Sequence, residues 1–203
     1  MIHVGAGWAT ARVRGSLRRA VRRRDPLLGW LVADGWGFHQ AYFHPERWAT
    51  GARALAQSDG YARRAVDQGI GRALWFVTGA APELVAARIR QFAPDRHGDL
   101  WSGVGLAATY AGGVPGDELV RLVELAGAHR ADVAQGAAFA ATARVVANNV
   151  APHVEAASQV LAGDAAAKLA ALSRSLEPVK PGATAYEQWR QRLRQTFAAE
   201  VAA

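Results

Sequence analysis

The chain has 203 residues, of which 51% are hydrophobic, with 7 Trp, no Cys and a formal net charge of +7. This composition specifies a packed fold of one domain or one repeat array. It excludes disulfides, thiolate nucleophiles and cysteine zinc sites. The charge is local: seven arginines lie between Arg12 and Arg24, and the rest of the chain is formally neutral.

The opening "MIHVGAGW" has neither the basic start nor the long apolar core of a signal peptide. No apolar run approaches the ~20 residues that cross a bilayer. A cytoplasmic protein without a membrane span is expected.

Along the chain a glycine motif, GxG, recurs. "GAGWATA" begins at Gly5, "GWGFHQA" at Gly35, "GIGRALW" at Gly69 and "GVGLAAT" at Gly103. A fifth copy, "GAAFAAT" at Gly136, has Ala138 in the second glycine position, so the steps are 30, 34, 34 and 33 residues. A near-constant period in this range marks stacked supersecondary units.

A proline-led amphipathic segment follows four of the copies: "HPERWATGARALAQ", "APELVAARIRQF", "VPGDELVRLVELAG" and "APHVEAASQVLAG". Proline at a helix start with acids in the first turn is a strong initiation pattern. In the second segment Leu84, Val85, Ile89 and Phe92 recur at helical spacing. Each unit is therefore expected to be a glycine-bearing helix and a proline-led helix.

The predicted fold is all-α: an array of about five αα-hairpin repeats of ~33 residues over 1–163, with C-terminal helices over 164–203. "GDAAAKLAALSRSL" predicts a helix with Asp164 as N-cap, and "EPVKPG" a linker. "TAYEQWRQRLRQTFAA" predicts a capping helix over 184–200. It would open with a capping box from Thr184 to Glu187 and show Tyr186, Trp189, Leu193 and Phe197 on one face.

A dinucleotide fingerprint has a third glycine, follows a strand and occurs once per site. None of that holds here. Glycine pairs inside four helices cost roughly 4–8 kcal/mol in helix propensity. Close packing of neighbouring backbones is the expected compensation, with Trp8, Phe38 and Phe139 folding over the gap.

The blocks "DGWGFHQAYF", "AVDQGIGRALWF", "DLWSGVGLAATYAGG" and "AQGAAFAATARV" resemble, in order and over essentially the whole chain, the bacterial domain-of-unknown-function family 1702. Members of that family sit in actinobacterial gene clusters for polyketides, notably enediynes. The resemblance implies a role in secondary metabolism, tailoring or binding a polyketide scaffold, and transfers no catalytic residue. Family members typically carry a segment before the "VGVGW"-like block, which begins here at residue 4, so either a shortened relative or a misplaced start is expected.

The repeats act as an internal control on candidate site residues. Three positions after the first glycine stand Trp8, Phe38, Arg72, Leu106 and Phe139, so Arg72 is a cation in an apolar column. One position further, His39 stands among Ala9, Ala73, Ala107 and Ala140. Immediately before the glycine stand Val4, Asp34, Gln68, Ser102 and Gln135.

Helical spacing places Asp34, Phe38 and Tyr42 on one face, as it does Gln68, Arg72 and Phe76, and Ser102, Leu106 and Tyr110. Such a wall suits an aromatic or polyene ligand. It also fits an ordinary core in which Arg72 pairs with Asp67 or Asp34.

The catalytic candidates are His39, Asp34, Arg72, Asp67 and Tyr42, with His39 as general base. Arg72, His39, Asp34 and Tyr42 are expected to face a shared cavity. The substrate-binding candidates are Phe38, Gln68, Phe76, Tyr110 and Gln135. No cofactor and no metal site are expected, since HExxH, Walker and GxSxG patterns are absent.

The expected function is binding of a hydrophobic or aromatic small molecule, with cofactor-free tailoring of it if the chain is an enzyme. The alternative is a non-catalytic helical scaffold for biosynthetic partner proteins. No nucleic-acid partner is expected, because no aromatics interleave the arginine run. Duplex DNA should bind weakly and be released by about 200 mM salt in an anisotropy titration; tight, sequence-selective binding at that salt would contradict this reading.

Overall fold

The computed structural model describes residues 1–22, 25–51, 53, 60–180, 182 and 184–202, and among them it is all-helical. Each glycine motif lies on a helix: α1 (Ile2–Arg12), α3 (Leu31–Phe43), α5 (Tyr61–Val77), α7 (His97–Ala111) and α9 (Arg130–Val146). Shorter helices alternate with them: α2 (Leu17–Arg22), α4 (Pro45–Trp48), α6 (Pro82–Ile89), α8 (Gly116–Ala126) and α10 (Pro152–Ala162). α11 (Ala166–Ser175) and α12 (Ala185–Ala202) follow.

Proline occupies the first helical position of α4, α6 and α10, where its missing N–H leaves no intrahelical bond unmade. In α8 the proline is one residue earlier, with Pro115 as the N-cap. The segment after Arg53 lies outside the described residues up to Gly60, as do Arg23, Arg24 and part of the linker.

The glycine-bearing helices pack in chain order, α1 on α3, α3 on α5, α5 on α7 and α7 on α9. They run parallel and in register, because cross-helix partners sit about one repeat apart. Asp34 bonds Gln68 at a separation of 34 residues, Arg64 bonds Asp99 at 35, and Ser102 bonds Gln135 at 33. In a second layer α6 packs on α8 and α8 on α10.

The two glycines of each helix face opposite neighbours. A Cβ at the first glycine would overlap a backbone carbonyl of the preceding helix: Val4 for Gly35, Asp34 for Gly69, Gln68 for Gly103 and Ser102 for Gly136. A Cβ at the second would overlap a carbonyl of the following helix: Val32 for Gly7, Val66 for Gly37, Leu100 for Gly71 and Val133 for Gly105. The two exceptions are the ends of the row. No described atom lies within 4 Å of a Cβ at Gly5, on the free side of α1. Ala138 replaces the second glycine in α9, whose next neighbour is α11.

Side chains follow the expected faces with two corrections. Val85, Ile89 and Phe92 are buried, but Leu84 is 55% exposed, because it projects from the opposite side of α6. The N-cap of α11 is Ala165, and Asp164 lies one residue outside it, accepting the Ala165 N–H at 2.8 Å.

On α12 the face of Tyr186, Trp189, Leu193 and Phe197 is buried. The helix lies across the row: Tyr186 reaches Gln68 of α5, Arg190 reaches Asp99 of α7, and Arg194 reaches Asp132 of α9. Glu187 does not serve a capping box. Its carboxylate is taken up by Tyr61, Arg64, Arg190 and Arg194.

Two alanine substitutions at the same motif position should have opposite effects. Gly69→Ala forces a methyl into the Asp34 carbonyl and is expected to cost about 3 kcal/mol or more, as overpacking against a rigid partner does. Gly5→Ala meets open space and is expected to stabilise by about 0.5–1 kcal/mol through helix propensity. Urea denaturation of both variants measures this; equal effects would refute the packing account.

Candidate functional site

The sequence candidates divide between two places. On the α12 side, Asp34 is buried, forms an ion pair with Arg72, and accepts a hydrogen bond from Gln68 Nε2 at 2.8 Å. Gln68 Nε2 also contacts the Tyr186 hydroxyl at 3.2 Å, and burial pushes the Tyr186 pKa up to about 12. The Arg72 guanidinium lies over the Phe38 ring, 5.0 Å from its centroid. Of the two partners expected for Arg72, Asp34 is therefore the one in place.

Asp67 belongs to a separate pair. Arg96 Nε and Nη2 donate to its two oxygens at 3.0 and 2.6 Å, and both side chains are buried. Burial raises the Asp67 pKa against the opposing pull of Arg96. Gln135 accepts from the Ser102 hydroxyl at 2.8 Å and from Arg190 Nε at 3.2 Å. The ring of Tyr110 lies under the Arg144 guanidinium, at 3.9 Å.

Of the residues expected in the aromatic wall, Phe38, Tyr42 and Phe76 touch one another. Phe38 and Tyr42 stack at 5.6 Å, and Phe76 meets both edge-on. Tyr42 and Phe76 are 42% and 41% exposed. On the α12 side Trp189 lies against Phe139 at 4.7 Å.

His39 lies elsewhere, at the junction of α1 and α3. It lines a cavity of about 690 Å³ with Trp8, Ala9, Arg12, Phe43 and His44. This is within the usual volume range of small-molecule sites, about 300–1,000 Å³. Asp34, Tyr42 and Arg72 do not line it, so the expected shared cavity does not form; Arg72 is turned towards α12 by its bond to Asp34. Trp8 connects the two regions, stacking on Phe38 at 5.5 Å and meeting His39 and Phe43 edge-on.

The cavity follows from the register of the array. The position of His39 points from each glycine-bearing helix to the one before it, and Ala73, Ala107 and Ala140 are sealed there. At later junctions the layer of α6, α8 and α10 lies alongside. Among the described residues, the elements beside the first junction are α2, which has no buried residue, and the four-residue α4. A large side chain and an open space therefore fit where alanine would otherwise close the gap.

His39 is 6% exposed, and its Nδ1 is enclosed with no hydrogen-bond partner among the described residues. Nε2 is then the nitrogen left to serve the cavity. Burial depresses the pKa of His39, and the charges of His44 and Arg12 add to the effect. The ring is therefore neutral at pH 7 and able to accept a proton or a hydrogen bond.

Sequence reasoning missed the buried Arg190, which pairs with Asp99 at 2.9 Å and Glu187 at 3.3 Å. It also donates to the Tyr61 hydroxyl at 3.1 Å. Burial works to raise the Asp99 pKa, and Arg190 with Arg64 outweighs it, holding the carboxyl below its usual range. A signal was present: four positions before the first glycine, Asp99 and Asp132 interrupt a column of Met1, Leu31 and Ala65.

The depressed pKa of His39 makes stability depend on pH. In the unfolded chain the ring titrates near 6.5, and in the folded chain lower. Between those values only the unfolded chain holds the proton, so stability falls as the pH drops through that window. His39→Gln should remove this component, and urea denaturation of both proteins from pH 7.5 to pH 5 (values chosen about the ordinary histidine pKa) measures it. A stability difference that does not change with pH would contradict the assignment.

Among the described residues no helix is long and apolar enough to cross a membrane. No curated protein and no solved structure matches the chain. The family model described as "Protein of unknown function (DUF1702)" matches residues 1–197. The chain, with its paired-glycine helices and the helix that crosses them, is a member of the DUF1702 family.

Proposed function

We propose that this protein binds an aromatic or polyene small molecule in the cavity between α1 and α3. The observation that carries this reading is an aromatic-walled space of about 690 Å³ that contains a buried, neutral histidine. Trp8 and Phe43 offer flat apolar surface, while His39 Nε2 offers a single polar contact that fixes orientation.

The family resemblance supports a polyketide origin for the ligand, and so a role inside the cell in bacterial natural-product biosynthesis of the enediyne type. Binding is better supported than catalysis, because Asp34, Asp67, Arg72 and Tyr42 do not share the cavity. A cofactor-free proton transfer would fall to His39 alone. The alternation of long glycine-bearing helices with shorter ones reads as about five αα units that hold this site at one end. A second reading, a scaffold for partner proteins, is favoured by the free side of α1, where Gly5 meets open space and Ile2 is 86% exposed.

The test is a fluorescence titration with cis-parinaric acid, a conjugated polyene whose emission rises in apolar surroundings. Saturable one-to-one binding is expected, with energy transfer from tryptophan that is lost in Trp8→Ala and affinity at least about tenfold weaker in His39→Ala. Absence of saturable binding, or unchanged binding in both variants, would overturn the reading.

A further inference from the structure

The cavity of Trp8 and His39 does not end at His39. A second space of about 340 Å³ adjoins it and shares Arg12, His39 and His44 as walls. The two differ in character. The first presents mainly aromatic surface, whereas Arg14, Arg47 and Arg53 join Arg12 around the second.

No described carboxylate lines either space. The acid beside them is Glu46, 3.7 Å from Arg47, with both side chains about two-thirds exposed to water. Elsewhere in this protein buried or half-buried arginines meet carboxylates: Arg72 with Asp34, Arg96 with Asp67, Arg64 with Asp99 and Arg190 with Asp99. The arginines around the second space are exposed, and of them Arg47 has a carboxylate, Glu46, within reach. Four guanidinium groups around a concavity repel one another, and an anion between them relieves that repulsion while accepting charge-assisted hydrogen bonds.

The geometry points to a ligand that is apolar at one end and anionic at the other. Its conjugated or aromatic part lies between Trp8 and Phe43, it passes the imidazole of His39, and its carboxylate or other oxyanion is held by Arg12 with Arg47 and Arg53 around it. This rests on the reading of the first cavity as an apolar ligand site and adds the charge of the ligand. Arg12, the first arginine of the basic run, is a wall of both spaces.

The test compares cis-parinaric acid with its methyl ester, at pH 8 and low salt, on the full chain. The acid is expected to bind about tenfold or more tightly than the ester. Arg12→Met, at a wall of both spaces, should weaken the acid far more than the ester and so remove most of the difference between them. Arg47→Met, at a well-exposed position, should act in the same direction, and far-ultraviolet circular dichroism confirms that both variants fold. Equal binding of acid and ester by the wild-type protein would overturn the anionic end and leave the apolar site standing. So would an Arg12→Met variant that weakens both ligands alike. Binding of neither ligand would overturn both readings.

Discussion

Contact between backbones at the paired glycines sets the spacing of the glycine-bearing helices, and the other features take their positions from it. The two glycines of a helix do different work, the first admitting the carbonyl of the helix before and the second that of the helix after. A single glycine per helix would allow one close neighbour; a pair two residues apart allows a continuous row. This explains why the period is nearly constant, and why Ala138 is tolerated where the row gives way to α11.

Helices this close and parallel bring equivalent positions of successive glycine-bearing helices together. Immediately before the first glycine, Asp34 meets Gln68 and Ser102 meets Gln135. These polar side chains would be costly in an apolar interior without partners. α12 supplies partners through Tyr186 and Arg190, and fills the rest of its buried face with Trp189, Leu193 and Phe197. The helix therefore does more than cover one end: its charges satisfy acids on several members of the row.

Much of this was legible in the sequence because repeats expose their own outliers. Gly35, Gly69 and Gly103 announced helices in close contact, and His39 and Arg72 stood out from columns of alanine and large apolar residues. The partner of Arg72 was legible as one of two aspartates, since a buried cation needs an anion. What could not be read was direction. His39 and Arg72 lie on the two helices α3 and α5, but His39 points back to α1 while Arg72 points to the α12 side, so the same kind of outlier leads to two different places. Arg190 was hidden for another reason: a charge amid Tyr186, Trp189 and Leu193 reads as the polar side of an amphipathic helix until Asp99 is found opposite it.

The cavity lies at the junction of α1 and α3, where His39 stands in a column of alanines. Its walls come from two helices whose separation is set by Gly7 and Gly35, so ligand binding and glycine packing are one structural fact. Gly7→Ala tests that link most directly. Its methyl would meet the Val32 carbonyl and the Trp36 amide of α3, at the contact that positions α1 and with it Trp8, the next residue in the chain. The variant is expected to keep the helicity of α3 to α9 by hydrogen exchange, to loosen protection in α1, and to lose parinarate binding by at least about tenfold. Unchanged binding with α1 fully protected would show that the glycine contact does not build the site, and would contradict the account.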